Sequence, residues 1–514
     1  MKRYAIGLDN GGTVTKAALF DLEGREICVA AQKTPVTAPQ PGYTERDMET
    51  LWQANCSCIR QVLERSGVSA GDILGLAVCG HGKGLYLWGK DGRPAYPGIG
   101  STDNRAWRVV EQWYGDGTFE RAYPQLCQQL MACQQAALLR WMKQERPEVY
   151  DNIRYVFSAK DYIRFRLTGE AWCEATDISG SGLMDVKNGR FDRGLLEILG
   201  IGEVHDMLTP LKGSCDLCGH VTEAAARETG LLPGTPVAGG MFDVDACAIA
   251  SAVTRPGQVC TITGTWSINE YIRPRPVVDG KVMMNSFFCL PGYYLIEECS
   301  PTSAGNNEWF VQNLLPELKA ELKKTGGNIY QQMDRWTDSI PVQEQCPIFF
   351  PFLMASNVHP NAMGSFVGMS NFHTRAHLAR SVYEGIAFSH RYHLEKLLAT
   401  RDQAPRGIRL AGGVARSQVW TQMFADVMKL PVEVVQVNET GALGCAVIGA
   451  AASGEYASLA DAAAHMCRIS QPIMPDQIRS RLYDEKYELY LQAIQALDPL
   501  WDRLQEYRDR HPQG

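Results

Sequence analysis

The chain has 514 residues, 45% apolar and 21% charged, a globular composition that argues against disorder. At about 150 residues per domain, that length holds two to four domains, each with chain enough to bury a core. The net charge of −7 with no basic stripe argues against a nucleic-acid partner, and sixteen scattered cysteines are too sparse for a disulfide scaffold.

Tyr4 to Leu8 reads as a buried strand that ends at Asp9, too short a run for a signal-peptide core. Asn10-Gly11-Gly12-Thr13 turns the chain into a second strand, Lys16 to Phe20. Asp21 to Gly24 leads to a third, Ile27 to Ala30, and the short connections predict an antiparallel meander. Apolar residues at 48, 51, 52, 58, 59, 62 and 63 form a helical stripe. Ile73 to Cys79 is the next buried strand, and the alternation of strands with helices gives an α/β class. The region from about 120 to 230 is helix-rich and reads as an insertion. Within it, Cys215, Cys218 and His220 lack the fourth ligand a structural zinc site needs.

Thr235 to Ala238 is a strand, and the small residues Cys247 to Val253 predict a tightly packed helix. Val259 to Thr263 and Ser267 to Ile272 flank Gly264-Thr265, which repeats the strand, turn and strand seen near residue 10. Two related domains are expected, at 1–252 and 253–514. Ile408 to Ala411, Gly412-Gly413, Val419 to Leu430 and Val432 to Val435 read as strand, turn, helix and strand. Glu439 to Gly444 opens a close-packed helix, and its apolar run falls short of the ~20 residues that span a bilayer. No membrane partner and a cytoplasmic location are expected. The tail from about 480 predicts a covering helix.

Three segments carry chemistry. Asp9 to Lys16 offers glycines for close backbone approach, a hydroxyl and amide at Thr13, a cation at Lys16 and a carboxylate at Asp9. These suit nucleotide phosphates and Mg²⁺, although a plain hairpin turn with an incidental lysine has the same pattern. Asp243, at a strand-to-helix junction, suits proton abstraction from a hydroxyl, or an N-cap role that Asp245 would share. Gly412 and Gly413 could pass a nucleotide without Cβ clash, or serve ordinary turn chemistry. The Walker A pattern at Gly84 to Lys90 fails at Asp91, and no Gly-x-Gly-x-x-Gly opens a helix after a strand.

Together these pieces resemble the FGGY carbohydrate kinases of the actin-like ATPase superfamily. The most specific part is Gly364-Ser365-Phe366-Val367-Gly368-Met369, then seven residues, then His377 to Glu384, which fits the family's second signature. Within that family the chain looks most like bacterial L-xylulose (3-keto-L-gulonate) kinases. That likeness rests on Pro39 to Met48, Gly82-Lys83-Gly84-Leu85, Gly240 to Val244 and Ser300 to Asn306.

The resemblance implies an actin-like (ribonuclease H-like) fold, with two related α/β domains and a cleft between them. It implies ATP-dependent phosphorylation of the terminal hydroxyl of a ketopentose, L-xylulose first. D-xylulose, L-ribulose, 3-keto-L-gulonate and erythritol are alternatives, and a non-enzymatic ATP-binding switch is a further one. Asp243 matches the catalytic base, and Asp103, Lys83, Gly84 and Phe242 the sugar side. Gly11, Gly12, Thr13 and Lys16 match the first phosphate loop, and Asp9 the residue near Mg²⁺. Gly264 and Thr265 match the second loop, while Gly305, Asn306, Gly412 and Gly413 line the nucleotide. ATP, Mg²⁺ and a small sugar are the implied partners, in a homodimer. Three departures stand out: Gly12 where Thr is usual, Ser101 where Trp is frequent, and His81-Gly82-Lys83-Gly84 where many D-xylulose kinases have Gln-Met-His-Gly. Lys83 either faces the pocket, where its ammonium would suit a sugar hydroxyl or a sugar-acid carboxylate, or is a solvated surface lysine.

Overall fold

A computed structural model describes residues 3–264, 266–280 and 282–511. The chain opens with β1 (Tyr4–Asn10), β2 (Val14–Asp21) and β3 (Glu26–Lys33), paired antiparallel in sequence order. Helix α1 (Met48–Ser66) follows; the Asp47 side chain accepts from the Thr50 amide, and Gly67 ends it at φ 66. Its Leu51, Trp52, Ile59 and Val62 stripe is buried with Ile6, Leu8, Leu19 and Val78 of the sheet. Strand β4 (Ile73–Gly80) lies parallel to β1.

Further along come α2 (Ala175–Ser179), β5 (Leu217–His220), β6 (Pro236–Ala238), β7 (Met241–Phe242) and α3 (Asp243–Ala250). The first sheet runs β5-β6-β4-β1-β2-β3, with β7 also parallel to β4. Helix α3 starts four residues before the predicted Cys247, because β7 feeds directly into it and Asp243 and Asp245 suit the positive end of a helix. The helix-rich insertion has its own core around Leu138, Leu139, Met142, Leu195 and Val204.

The second sheet is built from β8 (Val259–Thr263), β9 (Ser267–Arg273), β10 (Met284–Phe287) and β11 (Tyr294–Ser300). After α4 (Ala304–Leu314) and α5 (Arg375–Leu398) come β12 (Ile408–Gly412), α6 (Gln418–Met428) and β13 (Val432–Val434). Its order is β10-β11-β9-β8-β12-β13. The antiparallel pair β8/β9 with parallel β12 repeats the arrangement of β1/β2 with parallel β4. The chain ends with α7 (Thr440–Ala452) and α8 (Gln477–Arg510). Among the described residues no helix is long and apolar enough to cross a membrane.

Two compact units result. One holds the chain up to Pro256, Ile272–Ile296 and Gln436–Arg468; the other holds Gly257–Tyr271, Glu297–Val435 and the chain from Ile469. In the first unit α7 packs on β1 and β4, and its glycines and alanines permit the approach. A Cβ on Gly7 would overlap the Ala442 carbonyl, and one on Gly444 the Ala246 carbonyl.

In the second unit the signature helix α5 is a fastening point. Arg380 pairs with Glu384 at 2.7 Å and donates to the Thr337 and Ile340 carbonyls and the Tyr483 hydroxyl. Lys486 of α8 reaches Glu384 at 2.9 Å. Tyr483, Tyr487, Tyr490 and Trp501 bury the inner face of α8.

Candidate active site

Sheet register assembles the first unit's site. Lys16 lies opposite Asp9, Asp9 opposite Cys79, and Cys79 opposite Met241, one row across β2, β1, β4 and β7. The parallel strands β1, β4 and β7 end together, and the chain leaves them as the 11–13 turn, the 81–84 segment and Asp243. Ligands in α/β sheets bind at such carboxyl ends.

Burial raises the Asp9 carboxyl above its ordinary value, against the pull of Lys16. The Lys16 ammonium sits 2.6 Å from Glu439, which directly precedes α7. Gly12 and Thr13 are exposed, and a Cβ on Gly12 would meet nothing. Buried Arg46 donates to the carbonyls of Gly11, at 3.3 Å, and of Gly12. Arg46 and Glu439 were not among the sequence-derived site residues. Both stand within quoted motifs, but neither motif says where its side chain goes.

Next to this turn, His81 is buried and hydrogen-bonded to the Tyr86 hydroxyl at 2.9 Å. Gly82 lies flat against the Phe242 ring, which a Cβ would overlap. Lys83 is half-buried at φ 63, with its ammonium 5.7 Å from the Phe242 ring centre. A left-handed, non-glycine residue is a costly conformation that clusters at functional sites. Gly84, at φ 70, donates to the Cys133 carbonyl at 2.7 Å.

Asp243 is half-buried as the first residue of α3; Phe242 holds the cap position, and no side chain caps the helix there. Asp243 therefore stands one position past the N-cap. Asp245 is buried and accepts from the Cys289 amide at 3.1 Å. The Cys79 thiol is held far above its ordinary value, first by burial and then by Cys445, Asp9 and Asp243. Both carboxylates thus act on the same thiol.

Asp103 is buried, and its carboxylate is forked by Arg105 at 2.9 and 2.8 Å. The Thr44 amide, at 2.6 Å, and the Arg105 amide, at 2.9 Å, take its remaining acceptor positions. A sugar hydroxyl reaching Asp103 has to share one of these. Through Thr44, Asp103 also holds the segment that carries Arg46.

Asp9 also answers whether a magnesium ion fits here. Among the described residues no cluster of three or more His, Cys, Asp or Glu is built to hold a metal. Mg²⁺ in phosphoryl transfer is usually held by one or two carboxylates plus substrate phosphates. The half-buried Asp9 carboxylate, at the end of β1 beside the exposed Gly12–Thr13 turn, fits that chemistry.

The second unit has its own glycine turns. Gly412, at φ 94, and Gly413 press on the end of β8; a Cβ on Gly412 would lie 2.6 Å from the Thr263 carbonyl oxygen. The Gly264 amide donates to the Trp266 carbonyl at 3.2 Å, and Thr265 lies outside the described residues. Asn306 is buried and accepts from the Leu353 amide at 3.3 Å, while Gly305 is half-buried in the first turn of α4. His390 ties this region together without any sequence signal: its nitrogens meet Ser267 at 2.9 Å and Ser303 at 2.8 Å.

His81 and His390 are each pushed down to about 3 by burial, helped by Arg46 and His393 respectively. The unfolded chain, titrating near 6.5, takes up protons these rings refuse. Stability therefore falls as pH drops from 6.5 toward 3, by up to about 1.4 kcal/mol per pH unit for each ring. His390→Gln should show a shallower loss of melting temperature between about pH 6.5 and 4.5. An unchanged slope would refute this account of His390.

The N-terminal domain of the FGGY family of carbohydrate kinases matches residues 4–250, and the family's C-terminal domain matches 259–453. The chain is 37% identical to the L-xylulose/3-keto-L-gulonate kinase of Escherichia coli strain K12, over 99% of this chain and 100% of that protein. It is 35% identical to a probable L-xylulose kinase of Pasteurella multocida, over 96% of this chain and 99% of that one. Among solved structures, the xylulose kinase from Rhodospirillum rubrum superposes with a TM-score of 0.85 at 26% identity, covering 97% of this chain and 100% of that one. The chain belongs to the FGGY family of carbohydrate kinases, and it is an enzyme that phosphorylates a sugar with ATP.

Proposed function

We propose that this kinase transfers the γ-phosphate of ATP to the terminal hydroxyl of a ketopentose, L-xylulose first among candidates. The observation that carries the reading is the row Lys16, Asp9, Cys79 and Met241, which brings the phosphate turn to the same sheet edge as Asp243. The likeness to an L-xylulose/3-keto-L-gulonate kinase and to a probable L-xylulose kinase supports the choice of sugar.

In this reading Asp243 takes the proton from the sugar hydroxyl as its oxygen attacks the γ-phosphorus. The bond from that phosphorus to the β-bridging oxygen breaks, and ADP leaves. Asp9 would hold Mg²⁺, which would offset the negative charge of the ATP phosphates. Lys16 stabilises charge on the transferring group, which requires it to turn from Glu439 or share it. Arg46 keeps the 11–12 carbonyls turned toward itself and so shapes the turn. Gly264, Thr265, Gly305, Asn306, Gly412 and Gly413 would line the nucleotide.

A sugar acid, 3-keto-L-gulonate, is the second reading, favoured by the half-buried Lys83 ammonium beside Phe242. ADP release with L-xylulose, D-xylulose, L-ribulose, 3-keto-L-gulonate, erythritol and glycerol tests both. L-xylulose should turn over fastest; no sugar-stimulated release from any of the six would overturn the proposal. Lys83→Met should raise KM for 3-keto-L-gulonate about tenfold or more and KM for L-xylulose by about threefold or less. Equal effects on the two would remove Lys83 as a carboxylate reader.

A further inference from the structure

Behind β7 lies a charged cluster with no solvent access. Lys160 is fully buried, 2.8 Å from Asp161, 3.2 Å from Glu174 and 3.8 Å from Asp177. Arg164, also buried, pairs with Asp161 at 2.8 Å. Burial opposes the charge on Lys160, yet the three carboxylates outweigh it and hold the ammonium above its ordinary value. Such clusters are poor sources of stability, since well-packed apolar side chains often serve as well or better.

The cluster ends in two tethers on one short segment. Arg164 donates to the Gly239 carbonyl at 2.6 Å. Glu174 accepts from the Thr176 hydroxyl at 2.8 Å, and that hydroxyl oxygen accepts from the Phe242 amide at 2.9 Å. Using the hydroxyl both ways fixes its rotamer. Glu174 is itself held by the Ser214 hydroxyl at 2.8 Å and by the Thr176 amide at 3.0 Å.

This segment needs tethers. β7 contributes only Met241 and Phe242 to the sheet, after a left-handed Gly240 at φ 79. Asp243 follows at once, so the direction of its side chain depends on where Phe242 is held. The same tether sets the ring that covers Gly82 and faces Lys83.

We infer that Thr176 is a positioning residue for Asp243: its Glu174-oriented hydroxyl fixes the Phe242 amide and so aims the Asp243 carboxylate at the sugar hydroxyl. The inference rests on Asp243 being the base, and its test separates the two. Thr176→Val keeps the side-chain shape and removes both hydrogen bonds; Thr176→Ser restores them. With Mg-ATP and L-xylulose, or the fastest sugar of the panel, Thr176→Val should lose about tenfold to a hundredfold in kcat, with KM for ATP within about twofold. Thr176→Ser should recover kcat to within about threefold. Thr176→Ala carries the same comparison if the valine variant does not fold. Asp243→Asn is measured beside them. If it is inactive while Thr176→Val and Thr176→Ala turn over normally, the positioning role fails alone. If Asp243→Asn turns over normally, the base assignment fails and this inference with it. A Thr176→Ser variant as slow as Thr176→Val, both melting like the wild type, also overturns it.

Discussion

Asp243→Asn should bind Mg-ATP as the wild type does and lose sugar phosphorylation by about a thousandfold. The carboxamide keeps the size and planarity of the carboxylate but cannot accept the proton. Asp243 is half-buried at the first position of α3, where the helix favours a negative charge. Asn is tolerated at helix starts, so the fold should survive the change. Calorimetric titration with Mg-ATP and coupled ADP release would read the two properties separately. Turnover within about tenfold of the wild type would remove Asp243 as the base. Loss of both ATP binding and turnover would mean that the substitution disturbs the phosphate turn, and it would equally defeat the assignment.

Gly7→Ala should cost stability on a scale unusual for one methyl group, about 3 kcal/mol or more. Gly7 is in the middle of β1, fully enclosed by the sheet and α7. The new Cβ would overlap the Ala442 carbonyl, a main-chain group that cannot rotate away. Either α7 lifts off β1 and β4 or β1 buckles. Lifting α7 also moves Glu439, which holds Lys16, so residual activity should show a raised KM for ATP. Gly115→Ala is the matched control: it ends a surface helix, meets no neighbour, and should leave the melting temperature unchanged or slightly raised. Similar melting temperatures for Gly7→Ala and the wild type would mean that the α7 contact is looser than described.

Much of the first unit was legible in the chain. Apolar runs with short Gly- and Asp-bearing turns specify β1 to β3, because a buried strand needs continuous apolar residues and a tight turn needs those residue types. The stripe in α1 was legible for the same reason, through the 3.6-residue period. The signature helix α5 was legible as a motif, though its Arg380 and Glu384 prove to fasten α8. Arg46, Glu439, Thr176 and His390 were not legible as working parts. Their partners lie far off in the chain, 423 positions away for Glu439 and Lys16 and 66 for Thr176 and Phe242, and no local period encodes such a pairing.

The sequence by itself determined the α/β class, the order of the first strands, the repeated strand, turn and strand, and the resemblance that names the chemistry. These depend on short-range pattern, which hydrophobic periodicity and turn sterics settle within about ten residues. Tertiary structure decided which side chains share one edge of the sheet, because the register of β2, β1, β4 and β7 is set by pairing and packing. It also decided that Asp103 is occupied by Arg105 and the Thr44 amide, and that a buried charged cluster reaches the Phe242 amide, next to Asp243, through the Thr176 hydroxyl.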